Sequence, residues 1–509
     1  MKVKYIILII FLYLLTIVQS ATSISFETSG EGFTVTDDVV EITGQGPFDL
    51  SGEKANKTIK ISSSCKLNLN GFSLINMGNE TPILISANKA VELVLTGEST
   101  LEDSEENENE GAIYLQSGSS LTISGTGLLN LKPHNIMAIN GTTGTSLIVN
   151  GGANINIESD STTVGGIYLR NGITFNDAEF TFFCEEGAHH AIDSEGDIKI
   201  IKGAYNIKSG NGKGIQSEKN LYFGEENGND EDLYLSIGTS DEGIEAMGIT
   251  LYSGSIEIRA TGDGINAASP GDECGENAER CSGDCACFID IKGGMLSLIS
   301  GEDDLDANGD IFISGGKIQI FAASNTEDQP IYQDGILNIT GGSIIAAGSS
   351  KMQGGVNAQT NQIAKIYNGT INEGDTLLVT DSGGNEILNE KAPKAAGYIY
   401  LNHISSFTLK INNVEMALSE PTQNQQPGPG GQPGQGDPKF SDGMDPWPMS
   451  SDGNHPWQGD PNFSDGMGPG PKSSDGNPQE TGEEEEKEDR SSFLEFSKIL
   501  FVILVFLCN

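Results

Sequence analysis

A short phrase recurs along the middle of the chain: a glycine, an apolar residue and a small or polar pair, then an alternating run and often Gly-Gly. Its apolar anchors are Ile113, Ile139, Ile167, Ile192, Ile215, Ile244, Ile265, Leu305 and Ile331, at steps of 26, 28, 25, 23, 29, 21, 40 and 26 residues. Repeats of this length that hold only short alternating runs are the coils of a solenoid. One coil cannot bury its apolar face alone, whereas stacked coils share one continuous core. Doubled glycines stand before strands at Gly151-Gly152, Gly293-Gly294, Gly315-Gly316 and Gly341-Gly342, where a tight corner needs backbone angles that other residues resist. The expected fold is all-β, a parallel β-helix in which each coil pairs with those above and below.

The chain divides by composition. Residues 1–20 read as a secretory signal peptide: Lys2 and Lys4 precede the apolar run Tyr5 to Val18, and Val18 and Ser20 suit cleavage before Ala21. Residues 21–110 alternate with a period of two, as in Leu67-Asn68-Leu69-Asn70, and read as the first coils. Residues 111–350 hold the regular coils, interrupted by a Cys-rich insertion at 269–287. Residues 351–419 lose the phrase but stay β-rich, with antiparallel strands expected at Thr376 to Thr380, Gly397 to Leu401 and Ser406 to Ile411. They read as a C-terminal cap, because an open coil edge invites pairing with another chain. Residues 420–490 are rich in Pro, Gly, Gln and Asp, and Asp437 to Met444 recurs as Asp460 to Met467. Such a stretch cannot bury enough apolar area to order itself, so a disordered stalk is expected. Residues 491–509 end in the apolar run Ile499 to Cys508, too short to span a bilayer and suited to a GPI attachment signal.

These ends predict an extracellular, surface-anchored product that touches membrane only through its C-terminal anchor. Six sequons, at Asn56, Asn79, Asn140, Asn338, Asn368 and Asn462, are candidate glycosylation sites. Removing the tail with Cys508 leaves six cysteines, and an even number in an oxidising compartment favours disulfides. Cys274, Cys281, Cys285 and Cys287 lack the paired C-x2-C knuckles of structural zinc, so two disulfides within the insertion are expected. Whether Cys65 and Cys184 pair is left open by the sequence. The formal charge is −44; loss of Lys2 and Lys4 with the signal makes it −46. A chain so acidic repels nucleic acid and attracts cations.

Three coils carry acids around their anchors: Asp241, Glu242 and Glu245 around Ile244, Asp263 with Asn266 around Ile265, and Asp303, Asp304 and Asp306 around Leu305. Coils stack about 4.8 Å apart, so Asp241, Asp263 and Asp303 are expected to face one another across rungs. Oxygen ligands in that number suit calcium, which takes six to eight at roughly 2.4 Å; the alternative is ordinary turn residues on a solvated edge. Asp193 and Glu195 extend the column. Enzyme signals are weak. No G-x-S-x-G element occurs, and His134, His189, His190, His403 and His455 have no nucleophile signature beside them. Lys199, Lys202, Lys208, Lys213 and Lys219 form a basic stripe that could supply a lyase base, or simply balance acids. No catalytic residue is named.

Several phrases carry a resemblance: Gly111-Ala112-Ile113-Tyr114, Leu121 to Gly127, Gly262-Asp263-Gly264-Ile265-Asn266-Ala267, Ile311 to Gly316 and Asp334 to Gly342. Over about Thr34 to Leu418 the chain resembles a calcium-binding, cellulose- and pectin-binding β-helix family of bacterial cell-surface carbohydrate-binding domains. The resemblance implies a right-handed parallel β-helix like that of pectate lyases, bound calcium, and binding to polysaccharide without established cleavage. Asp241, Asp263 and Asp303 match the acid that precedes the family's anchors and inherit the metal role; the Cys-rich insertion departs from the pattern. The leading expectation is a surface-tethered, calcium-dependent polysaccharide-binding protein without catalysis, with polygalacturonate or cellulose as partner. A calcium-dependent lyase of the same architecture and a structural adhesin are the rivals.

Overall fold

The computed structural model describes residues 21–421, except 77, 79, 105–110, 135–136, 159–163, 185–188, 270–286, 323–327, 350–355 and 357. Outside these residues lie the expected signal peptide, stalk and anchor, Cys274, Cys281 and Cys285, and the sequons at Asn79 and Asn462. Among the described residues there is no helix; the chain forms a β-solenoid of about 11 turns.

The recurring anchors make one continuous ladder. Ile113 pairs in register with Ile139, then come Ile167, Ile192, Ile215, Ile244, Ile265, Leu305 and Ile331, every step parallel. The ladder continues backwards through Ile83, Ile59 and Val40, which the phrase alone did not mark. All of these side chains are buried. The uneven steps of 21 to 40 residues therefore hide a constant rung, since the anchors stay in register whatever the number of residues between them. Two further parallel ladders complete the coil, one through Leu121, Leu147, Ile173 and Ile198, the other through Leu129, Ile155, Phe180 and Tyr205. Their inward residues join the anchors in one apolar core.

Corners are close-packed backbone. Gly316 has φ +86°, and a Cβ there would lie 2.9 Å from the carbonyl oxygen of Gly293 on the rung before. A side chain would need both a rare backbone conformation and a displaced neighbour.

An antiparallel strand pairs at each end of the stack. At the start, Phe33–Val35 pairs antiparallel with Val39–Ile42. At the end, Ala396–His403 runs antiparallel to Ser343–Gly348 and to Ile363–Ile371. The alternation of Ala396–His403 ties two cores together: Tyr398 and Tyr400 enter the solenoid core, while Ile399 and Leu401 enter a second core with Leu377, Val379 and Leu409. That second core lies under a four-stranded antiparallel sheet of Glu386–Lys391, Thr376–Asp381, Phe407–Ile411 and Val414–Glu415. The β-rich C-terminal cap is thus a small sheet on the last coil. Cys65 is a free, buried thiol, and burial pushes its pKa up to about 11; it does not pair with Cys184.

Candidate functional site

Side chains alternate along a strand, so the residue after each inward anchor points out of the solenoid. Register then stacks these residues in a lane, one per rung: Tyr114, Asn140, Tyr168, Asp193, Gln216, Glu245, Asn266, Asp306 and Tyr332. A second lane lies two residues before the anchors. Its members are His190, Lys213, Glu242, Asp263, Asp303 and Gln329. The carbonyl oxygens of Lys213, Glu242, Asp263, Asp303 and Gln329 each accept an N–H from the preceding rung.

The lanes meet at Lys213. Its ammonium lies 3.3 Å from Glu242 Oε2 and is hydrogen-bonded to Glu245 Oε2. Burial draws the Lys213 pKa down, but Glu245 and Glu242 together hold it above the ordinary lysine range. The backbone N–H of Lys213 donates to His190 Nδ1 at 3.0 Å, and burial pushes His190 down to about 3, with Lys213 adding to the effect. That imidazole is a neutral acceptor.

Beyond Lys213 the lanes are acidic and short of donors. Burial pushes Asp263 up to about 8, and Asp306, Asp303 and Glu242 add repulsion that its bond from the Asp303 N–H only partly offsets. Burial also raises Asp306 to about 7, with Asp303 next in effect, and Asp303 to about 6, against the bond that it accepts from the Gln329 N–H. Asp193 rises to about 7 through burial and then Glu218. Glu242 is raised by burial and by Glu245. Tyrosines stand at both ends of this stretch. Tyr168 donates to Glu195 Oε1 at 2.8 Å and lies under the Arg170 guanidinium, and Tyr332 is 37% exposed and donates to Asp334.

The expected acidic column is present with a shifted membership. Glu242, not Asp241, shares the lane of Asp263 and Asp303; Asp241 is exposed and stacks beside Gly262, whose N–H its carbonyl oxygen accepts. The shift arises because Gly243 separates acid from anchor just as Gly264 does, so Glu242 is the equivalent of Asp263. Glu245, Asn266 and Asp306 do occupy one lane. Asp304 leaves the face altogether: it is fully buried and accepts the Ser300 N–H at 3.0 Å. Glu195 turns to Tyr168 and Arg170, and Asp193 belongs to the post-anchor lane. Among the described residues no three His, Cys, Asp or Glu side chains converge closely enough to hold a metal. A calcium ion needs six to eight oxygens about one point. The carboxyls alone, strung one per rung, do not supply that set.

The basic stripe is largely committed. Lys199 lies over the Tyr222 ring, Lys208 over Phe183, and Lys202 pairs with Glu225 and Asp232. Of the sequons, Asn56 and Asn368 are exposed, Asn338 is half-buried, and Asn140 stands within the post-anchor lane. Sequence reasoning missed Tyr168, Gln216 and Tyr332 as members of one face, and placed Lys213 among surface lysines. The signal was available in the single residue that follows each anchor.

Comparison with known proteins supports a carbohydrate ligand. Residues 36–270 match the family model described as carbohydrate-binding domain-containing protein. The match takes in the rungs from Val40 to Ile265 and stops before Asp303, Asp306 and Tyr332. No curated protein and no solved structure matches this chain.

Proposed function

We propose that this chain is a non-catalytic polysaccharide-binding rod displayed outside the cell, and that its glycan lies lengthwise along the paired lanes between Tyr168 and Tyr332. The observation that carries this reading is the lane itself. One polar or aromatic side chain per rung, about 4.8 Å apart, gives a straight, regular surface suited to a polymer of regular repeat. Tyrosines suit sugars because a ring face packs on the C–H face of a pyranose while the hydroxyl keeps a polar contact. The amides and carboxyls between them accept hydrogen bonds from hydroxyls. The terminal segments would bring the rod to the surface and hold it there.

The lyase alternative needs a neutral amine or guanidine to take a proton. Lys213 is the cation inside the lanes, and two carboxylates keep it protonated, so it is a poor base. Affinity electrophoresis of the wild type and of Tyr332→Ala against a panel of soluble polysaccharides tests the proposal. Retardation by at least one glycan, weakened in the variant and without new reducing ends or unsaturated product, is expected. Equal retardation of wild type and variant by every glycan in the panel would sink the assignment of the face.

A further inference from the structure

The lanes hold more acceptors than donors. From the rung of Ile192 to that of Ile331 they carry Asp193, Glu242, Glu245, Asp263, Asp303 and Asp306 against one ammonium, that of Lys213. Three oxygens there, Gln216 Oε1, Asn266 Oδ1 and Asp306 Oδ1, are shielded from solvent and have no hydrogen-bond partner, whereas Glu242 Oε2 is met by the Lys213 ammonium. A buried acceptor without a donor is costly, and a carboxylate more so. The shortage is relieved by a ligand that brings donors and positive charge. It is not relieved at one point, because the carboxyls are distributed along successive rungs and no three converge on a metal position. The matching ligand therefore carries its charges in a row.

Accordingly, we propose that the stretch from Glu242 to Asp306 recognises an amino polysaccharide, a chain of hexosamine units with free ammonium groups, whose charges meet the carboxyls rung by rung. This inference rests on the reading of the lanes as the glycan face and adds the class of glycan. A polyuronate would bring carboxylates to carboxylates, and an N-acetylated chain would bring donors without charge. The raised pKa values of Asp263 and Asp306 agree, since both carboxyls gain most from an arriving cation.

The test compares oligosaccharides of β-linked glucosamine, their N-acetylated counterparts and polygalacturonate by titration calorimetry, in chelator and in calcium. The free-amine oligosaccharide should bind in chelator, at least about tenfold more tightly than the acetylated one. Any polycation is drawn to so acidic a chain, so position must be separated from net charge. Asp263→Asn with Asp306→Asn should weaken binding about tenfold or more. Glu179→Gln with Glu257→Gln, which likewise turns two carboxyls into amides but on another face, should change it less than about twofold. Equal losses in the two double variants would reduce the effect to general attraction and overturn the proposal. So would equal or tighter binding of the acetylated chain by the wild type, a comparison that needs no variant. Polygalacturonate bound in calcium and released by chelator would overturn it in favour of a bridging metal. If the amine preference fails while Tyr332→Ala still weakens another glycan, the class is wrong and the face stands.

Discussion

The ammonium of Lys394 donates to the carbonyl oxygen of Ser300, 94 residues earlier in the chain. Lys394 precedes the strand Ala396–His403, and Ser300 ends a coil whose N–H is held by buried Asp304. Burial draws the Lys394 pKa below the ordinary lysine range and drives that of Asp304 well above the carboxyl range. The cap is thus fastened to the solenoid by a polar contact as well as by Tyr398 and Tyr400. Lys394→Met keeps most of the packed stem and removes the donor. It should lower stability by about 1–3 kcal/mol, read as an earlier urea midpoint; an unchanged midpoint would show the contact to be incidental.

Stability should fall as pH rises. Asp263, Asp193, Asp306 and Asp303 sit at about 8, 7, 7 and 6 in the folded chain, and all return to about 4 on unfolding. Between these limits the folded chain holds more protons, so its stability is full below about pH 4 and is lost through about pH 6–8. Urea midpoints measured from pH 5 to pH 8.5 should decline. Asp263→Asn keeps an acceptor for the Asp303 N–H and should flatten the decline. A profile rising over that range would contradict the buried, like-charged arrangement.

Gly203 opens a strand with φ +115°, and a Cβ built there would lie 1.8 Å from the carbonyl oxygen of Ala178 on the preceding rung. Gly203→Ala therefore forces adjacent coils apart as well as straining its own backbone. A loss of about 2–4 kcal/mol is expected. Calorimetry that finds the variant as stable as the wild type would show that coil spacing is not fixed at that corner.

Inside and outside positions should respond differently to the same truncation. Ile215 is fully buried in the anchor ladder, while Tyr234 on another face is 43% exposed. Ile215→Ala should cost about 2–5 kcal/mol, and Tyr234→Ala less than about 1 kcal/mol. Similar costs from denaturant titration would contradict the assigned facing of the strands.

The anchors were legible because an inward aliphatic residue framed by glycine and small residues has few substitutes in a tight coil; nine of them could be placed on consecutive rungs. Ile59 and Ile83 lacked the flanking phrase, so the sequence did not mark them as anchors. The acidic column was legible in outline but not in register. Matching acids by type rather than by distance from the anchor put Asp241 where Glu242 belongs, which stands two residues before Ile244 as Asp263 does before Ile265. Asp304 shows the same limit: one position from Asp303 on the chain, its side chain is inside the fold. Tyr168 and Tyr332, six rungs apart on one lane, are linked by no local pattern and become neighbours of a common surface only through stacking.

The constant rung beneath variable spacing makes the length of this molecule a count rather than a measurement. Ile215 occupies on Ile192 the place that Ile192 occupies on Ile167, so excising residues 192–214 would offer the next coil an equivalent seat. Because an antiparallel strand pairs at each end, that count is finite and written into the chain. Evolution can lengthen or shorten the reach of such a molecule in whole steps, leaving its two terminators untouched.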